Sequence, residues 1–170
     1  MSSHPAHSVF YPARRQATYS ASPTDADGIK LSVATSLAAA TYSFTAKQTD
    51  LAGNGLSVAS GALSVTVDVT TPGAPTVDSI STDTGSSSTD ETTNDQTLSI
   101  MGTSEANALV TIYKDGTSVG TTTANGAGNW TFDYTGTSLA AATYAFTAKQ
   151  TDLAGNGLSV ASGALSVTVD

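Results

Sequence analysis

From Val69 to Asp170, apolar residues recur at every second position in short runs broken by Gly, Asn, Asp and Pro. That is the period of strands with one buried face. Residues 75–80 form the first run, placed at a sheet edge because Pro75 cannot donate to a ladder. Residues 97–101 set Leu98 and Ile100 on one face. Leu109–Lys114 sets Val110 and Ile112 inward, and Asp115-Gly116 then predicts a tight hairpin turn. Thr117–Thr123 follows, with Val119 as its main apolar residue. Asn125-Gly126-Ala127-Gly128 turns into residues 129–134, where Trp130, Phe132 and Tyr134 share a face. Ala142–Thr151 opposes Tyr144, Phe146 and Ala148 to Thr143, Ala145, Thr147 and Lys149. Leu165–Val169 points Leu165, Val167 and Val169 inward. Residues 138–143 (SLAAAT) have helical propensity, but the strands on either side make them a loop. Seven such strands with regular turn signals predict an all-β, immunoglobulin-like antiparallel sandwich.

The closing part of this pattern occurs twice. Residues 35–68 recur as residues 137–170, an offset of 137 − 35 = 102, with Ser43 against Ala145 as the only difference. Both fall on the polar parity of their strand, where such an exchange costs little. Residues 69–170 are therefore expected to be a complete domain, and residues 23–68 a truncated repeat holding C-terminal strands only. At the positions of Trp130, Phe132 and Tyr134 the first copy has Gly28, Lys30 and Ser32. Residues 1–22 lack the repeat's texture and are expected to be a disordered tail. So short a piece of β-structure buries too little to fold reliably alone. Near-identical neighbours in a tandem array repeat a shape.

The charge is uneven. Of the net −8, residues 69–170 carry the whole excess: ten acids against Lys114 and Lys149. With no basic footprint, nucleic acid is excluded as an expected partner. Cysteine is absent, so neither a disulfide framework nor a thiolate metal site is available. No apolar run approaches the ~20 residues of a membrane span. The first residues contain Arg14 and Arg15 but no apolar stretch after them, so they do not form an export signal.

Residues 78–95 hold Asp78, Asp83, Asp90, Glu91 and Asp95 without a base. Calcium takes six to eight oxygens from carboxylates, carbonyls and water, which a Ser/Thr/Asp/Gly loop can provide. The same residues also favour turns for local hydrogen-bonding reasons. Residues 151–156 (TDLAGN) read first as a turn with Gly155 or Asn156 left-handed. Asp25-Ala26-Asp27-Gly28 lacks the distal glutamate and helix of a calcium-binding hand. His4 and His7 are too few ligands for zinc. Asn129-Trp130-Thr131 matches a glycosylation acceptor, but it sits on a strand with Trp130 inward. With no nucleophile–histidine pair and no phosphate loop, enzymatic activity is not expected.

Several pieces in order carry a resemblance: VDVTTPGAP at the junction, GTSEANALVTIY, DGTSVGTT, ANGAGNWTF and TDLAGN. Residues 67–170, and the closing half again in 35–68, resemble the bacterial Ig-like repeats of large surface adhesins of the biofilm-associated and repeats-in-toxin types. The resemblance implies an extracellular stalk on the bacterial surface, its export signal outside this chain. Its partners would be neighbouring repeats, and calcium would stiffen the joints. The metal ligands it implies are Asp68 at the junction (Asp170 at the next), Asp83, Asp90 and Asp95 in the loop, and Asp152 in TDLAGN, with Asp50 its counterpart. Many such repeats carry a second junction aspartate where this chain has Val69. The other function weighed is a carbohydrate- or host-surface-binding Ig-like module, with Trp130, Phe132 and Tyr134 as a stacking platform. Shared inward parity sets those aromatics in the core.

Overall fold

The computed structural model describes residues 9–12, 20–22, 30–32, 36–47, 54 and 56–170. It divides the chain into two units, Met1–Asp68 and Val69–Asp170. His4, His7, Asp25, Asp27, Gly28 and Asp50 lie outside the described residues. No helix among the described residues is long and apolar enough to cross a membrane.

The second unit is all-β. Its strands are β6 (Ser79–Ile80), β7 (Thr92–Thr93), β8 (Ser99–Thr103), β9 (Leu109–Lys114), β10 (Thr117–Thr123), β11 (Asn129–Asp133), β12 (Ala142–Thr151) and β13 (Leu165–Val169). One sheet has the order β10-β9-β12-β13-β7 and the other β11-β8-β6. The expected alternation holds where the core is built. Val110, Ile112, Phe146, Ala148 and Val167 are fully buried, while Ala145 on the opposite parity is exposed. They meet Ile100 and Trp130 of the smaller sheet and Leu98 just before β8, with Phe132, Tyr134, Tyr144 and Leu165 packed at the margin.

Two differences from the sequence pattern have local causes. The strand expected over 97–101 runs instead from Ser99 to Thr103. Asp95 Oδ1 accepts the Thr97 N–H at 2.8 Å and its hydroxyl at 2.9 Å, which draws Thr97 into an Asx turn. An eighth strand, β7, pairs parallel to β13, with Thr168 against Thr92 and Val169 against Thr93. It is two threonines long, so no alternation could signal it.

Glycine permits two close approaches in the core. A Cβ on Gly102 would run into the Thr76 carbonyl and the Trp130 ring. A Cβ on Gly120 would stand 2.6 Å from the Phe132 ring, at the bulge between Ser118 and Gly120 in β10. At the β9–β10 hairpin, Asp115 (φ 49°) and Gly116 (φ 81°) adopt the left-handed pair of a two-residue turn.

The first unit holds β1 (Val9–Pro12), β2 (Ser20–Ser22), β3 (Lys30–Ser32), β4 (Ala40–Lys47) and β5 (Leu63–Val67). Its main sheet has the order β1-β4-β5, and β2 pairs with β3. Strands β1 and β2 fall in the stretch whose texture did not suggest the repeat. The register shows what β1 is. It sets Tyr11 against Thr45 and Phe10 against Ala46, as β9 sets Tyr113 against Thr147 and Ile112 against Ala148. Since 113 − 11 = 102, β1 takes the place of β9 in phase with the repeat.

Candidate functional site

The chain enters and leaves the second unit at opposite ends. Near its start, the Gly73 carbonyl accepts the Gln150 Nε2 at 2.8 Å, and the Gly73 N–H donates to Glu105 Oε1 at 3.3 Å. Gln150 is 2 % exposed, and its Oε1 accepts the Glu105 N–H at 2.8 Å. At the other end the Asp170 N–H donates to the Thr93 carbonyl at 3.0 Å. Gln150 is next to last in β12, whereas β12 begins at Ala142, paired with Val169. At ~3.3 Å per residue, the two ends lie roughly 25–30 Å apart along that strand.

The acids expected to hold a metal divide between these ends. Asp83, Asp90 and Asp95 lie in the loop from β6 to β8, at the end where the chain leaves. Asp83 Oδ2 accepts the N–H groups of Asp90 and Glu91, each at 3.1 Å. Asp90 Oδ1 accepts the Thr92 N–H at 3.1 Å. Thr93, 1 % exposed, ties the loop together. Its hydroxyl donates to the Thr82 carbonyl at 3.1 Å and accepts the N–H groups of Thr84 at 3.2 Å and Asp95 at 3.0 Å.

Three features mark this loop as more than a solvated turn. Thr82 (φ 62°) and Glu91 (φ 58°) are left-handed without being glycine, a conformation costing on the order of 1–3 kcal/mol each. Asp83 Oδ1 is buried with no hydrogen-bond partner. Glu91, whose Oε2 accepts the Ile80 N–H at 3.3 Å, has its carboxyl pushed above the ordinary 4.5. Burial is the main cause; the Ile80 N–H opposes it, and the Asp83 and Asp90 carboxylates add to it. Glu91 belongs to the acidic stretch of the sequence, but nothing there singles it out as a ligand. Its backbone strain and burial exist only in the fold.

Asp152 sits at the other end, just beyond β12. Its Oδ1 accepts the Asn156 N–H at 2.9 Å and its Oδ2 the Asn156 side-chain amide at 2.9 Å. Those bonds hold its carboxyl below the ordinary 3.8, the backbone N–H first, with the Gly155 and Ala154 N–H groups contributing less. Gly155 takes the left-handed conformation (φ 78°) that the TDLAGN turn needs. Asp68 belongs to the first unit. Among the described residues, no group of three or more His, Cys, Asp or Glu is gathered as a metal would need. A cation at the Asp83 loop would therefore take its remaining oxygens from hydroxyls, carbonyls and water.

The aromatic strand is committed to packing. Trp130 is 3 % exposed, Phe132 stacks on Tyr134 at 5.9 Å, and Tyr134 meets Phe146 edge-on at 6.3 Å.

A family model described as "Bacterial Ig-like domain" matches residues 70–170. No curated protein matches the chain. The chain belongs to the bacterial Ig-like domain family, a non-catalytic structural fold common in bacterial surface proteins.

Proposed function

We propose that this bacterial Ig-like chain is a piece of the extender stalk of a bacterial cell-surface adhesin, serving cell adhesion or biofilm formation outside the cell. The observation that carries this reading is the placement of Gly73 and Asp170 at opposite ends of the unit. Units joined in this way add length with every repeat, whereas ends placed side by side would fold the array back on itself. Trp130 is buried, and Phe132 and Tyr134 are half-buried against the core, which argues against a flat exposed platform for stacking on a sugar. Antibodies raised against residues 69–170 should label intact bacteria, and shortening the array in the parent gene should reduce attachment while secretion persists. Labelling only after lysis would overturn the reading.

Calcium stiffening of the joints belongs to the same proposal. The loop where the chain leaves has an orphaned Asp83 oxygen and a Glu91 carboxyl crowded by Asp83 and Asp90, which a divalent cation would satisfy together. At extracellular affinities of about 10⁻⁴–10⁻³ M, millimolar calcium stabilises by roughly 0.4–1.4 kcal/mol. Its effect is then felt in the stiffness of the loop more than in survival of the fold. Equal melting temperatures in calcium and in chelator, with no heat of calcium binding, would remove calcium from the proposal.

A further inference from the structure

Asn-Gly occurs three times in the chain, at 54–55, 125–126 and 156–157. In such a pair the glycine nitrogen can close on the asparagine side-chain carbonyl, since no Cβ obstructs it. Gly55 lies outside the described residues, which leaves two pairs to compare. They carry the same chemistry in opposite settings.

Asn125 and Gly126 lie exposed in the turn between β10 and β11. Asn125 Oδ1 accepts the Ala127 N–H at 2.9 Å and the Asn129 N–H at 3.1 Å. Its amide nitrogen and the Gly126 N–H bond no acceptor among the described residues. The turn itself is fixed. The Asn125 N–H donates to the Asn129 carbonyl and the Gly128 N–H to the Asn125 carbonyl, each at 2.9 Å. Gly128 is left-handed (φ 85°), and it lies so close to the Ser104 carbonyl that a Cβ would run into it.

Asn156-Gly157 is closed on both counts. The Asn156 amide nitrogen donates to Asp152 Oδ2 and its backbone N–H to Oδ1, each at 2.9 Å. The Gly157 N–H donates to the Gly155 carbonyl at 2.8 Å. Thus the nitrogen that would attack is engaged, and so is the nitrogen that would leave.

We infer that Asn125 is a self-modification site of the folded protein, converting without an enzyme to aspartate and isoaspartate. The Gly126 nitrogen attacks Asn125 Cγ and forms a bond to it. The Cγ–Nδ2 bond breaks, and ammonia departs with the proton that the Gly126 nitrogen gives up. Water then opens the five-membered imide. Attack at Cγ gives aspartate; attack at the Asn125 main-chain carbonyl gives isoaspartate, with the main chain running through Cβ and Cγ. Negative charge gathers on Oδ1 as the ring closes, and the Ala127 and Asn129 N–H groups already point at that atom, as in an oxyanion hole. Either product adds a negative charge. Isoaspartate also lengthens the main chain where the five-stranded sheet passes to the three-stranded one, and it turns the carbonyl that accepts the Asn107 and Gly128 N–H groups into a free carboxylate.

The test holds the full chain at neutral pH in heavy-oxygen water, followed by trypsin and electron-transfer fragmentation. Cleavage after Lys114 and Lys149 puts Asn125 and Asn156 on separate peptides, 115–149 and 150–170. Asn125 should take up heavy oxygen, with isoaspartate among its products, at least about fivefold faster than Asn156, as one freed hydrogen bond allows. Unfolding in guanidinium chloride should bring the two rates together, because the difference lies in the fold. Gly126→Ala, whose Cβ meets nothing within 4 Å, should keep the melting temperature and slow conversion at Asn125. Equal rates at the two sites of the folded chain, a gap that survives unfolding, or undiminished conversion in Gly126→Ala would each overturn the inference.

Discussion

Gln150 holds Gly73. The buried amide of Gln150 donates to the Gly73 carbonyl and accepts the Glu105 N–H, each at 2.8 Å, tying the start of the unit to the far end of β12. Replacing it with leucine keeps the volume but strands both backbone groups, each costing about 1–3 kcal/mol when buried. Gln150→Leu should lower the stability of residues 69–170 by about 3 kcal/mol in urea melts, the lower half of that summed range, because the backbone groups are only part-buried. Hydrogen exchange should quicken at the Glu105 N–H in particular.

Gly102→Ala should be among the most damaging single-methyl additions in the chain. The new Cβ meets the Thr76 carbonyl and the Trp130 ring, neither of which can yield without parting the small sheet. A loss of about 3 kcal/mol is expected. As Trp130 is the only tryptophan, the accompanying red shift of its fluorescence reports the same site.

The raised Glu91 carboxyl makes neutral pH costly for the calcium-free protein. Below its ordinary 4.5 both folded and unfolded chains keep the proton, and no penalty arises. As pH climbs past that value the unfolded chain releases the proton more readily, so stability falls until pH passes the folded value. Glu91→Gln should melt above the parent at neutral pH in chelator and level with it well below 4.5. Under the calcium proposal, millimolar calcium should raise the parent's melting temperature and leave the variant's unchanged.

Asp152 acts in the opposite sense. Its carboxyl is held below 3.8, so its bonds to Asn156 stabilise the fold above that value and fade as pH falls through the lower folded value. Asp152→Ala should melt below the parent at neutral pH, and the gap should narrow in strong acid.

One substitution made in both copies separates the two units. Val167→Thr puts a hydroxyl into the closed core and should cost about 1–3 kcal/mol. Val65→Thr, at the same place in a nearly identical segment, should shift the melts by less than about 0.5 kcal/mol, as at an ordinary surface position.

Where burial alternates, the fold was legible in the sequence. The parities of Val110 and Ile112, of Phe146 and Ala148, and of Val167 and Val169 stand in the structure as the pattern predicts. The first strand was legible in part. Only Ser79 and Ile80 form β6, although the Thr76 and Asp78 N–H groups continue the pairing to Thr103 and Met101 at 2.8 Å each. β7 left no trace because its two threonines owe their place to neighbours far along the chain. β1 was hidden for another reason. Val9–Pro12 shares only Tyr11 with Tyr113 of Thr111–Lys114, too little to signal the kinship that its register against β4 reveals. The acidic loop could be seen as composition, but not the isolation of Asp83 Oδ1 or the strain at Thr82 and Glu91. Those arise when Thr93 is buried and draws the loop in around its hydroxyl.

Placing Gly73 and Asp170 at opposite ends also sets how the unit meets a pulling force. Tension would run along the strands. The bonds from Thr168 to Glu91 and from Asp170 to Thr93, and those from Thr76 and Asp78 to β8, lie across the line of pull. They would be sheared together, so yielding requires many bonds to fail at once, while a ladder peeled from one end gives way bond by bond. A tether of such units would stretch little until it failed abruptly.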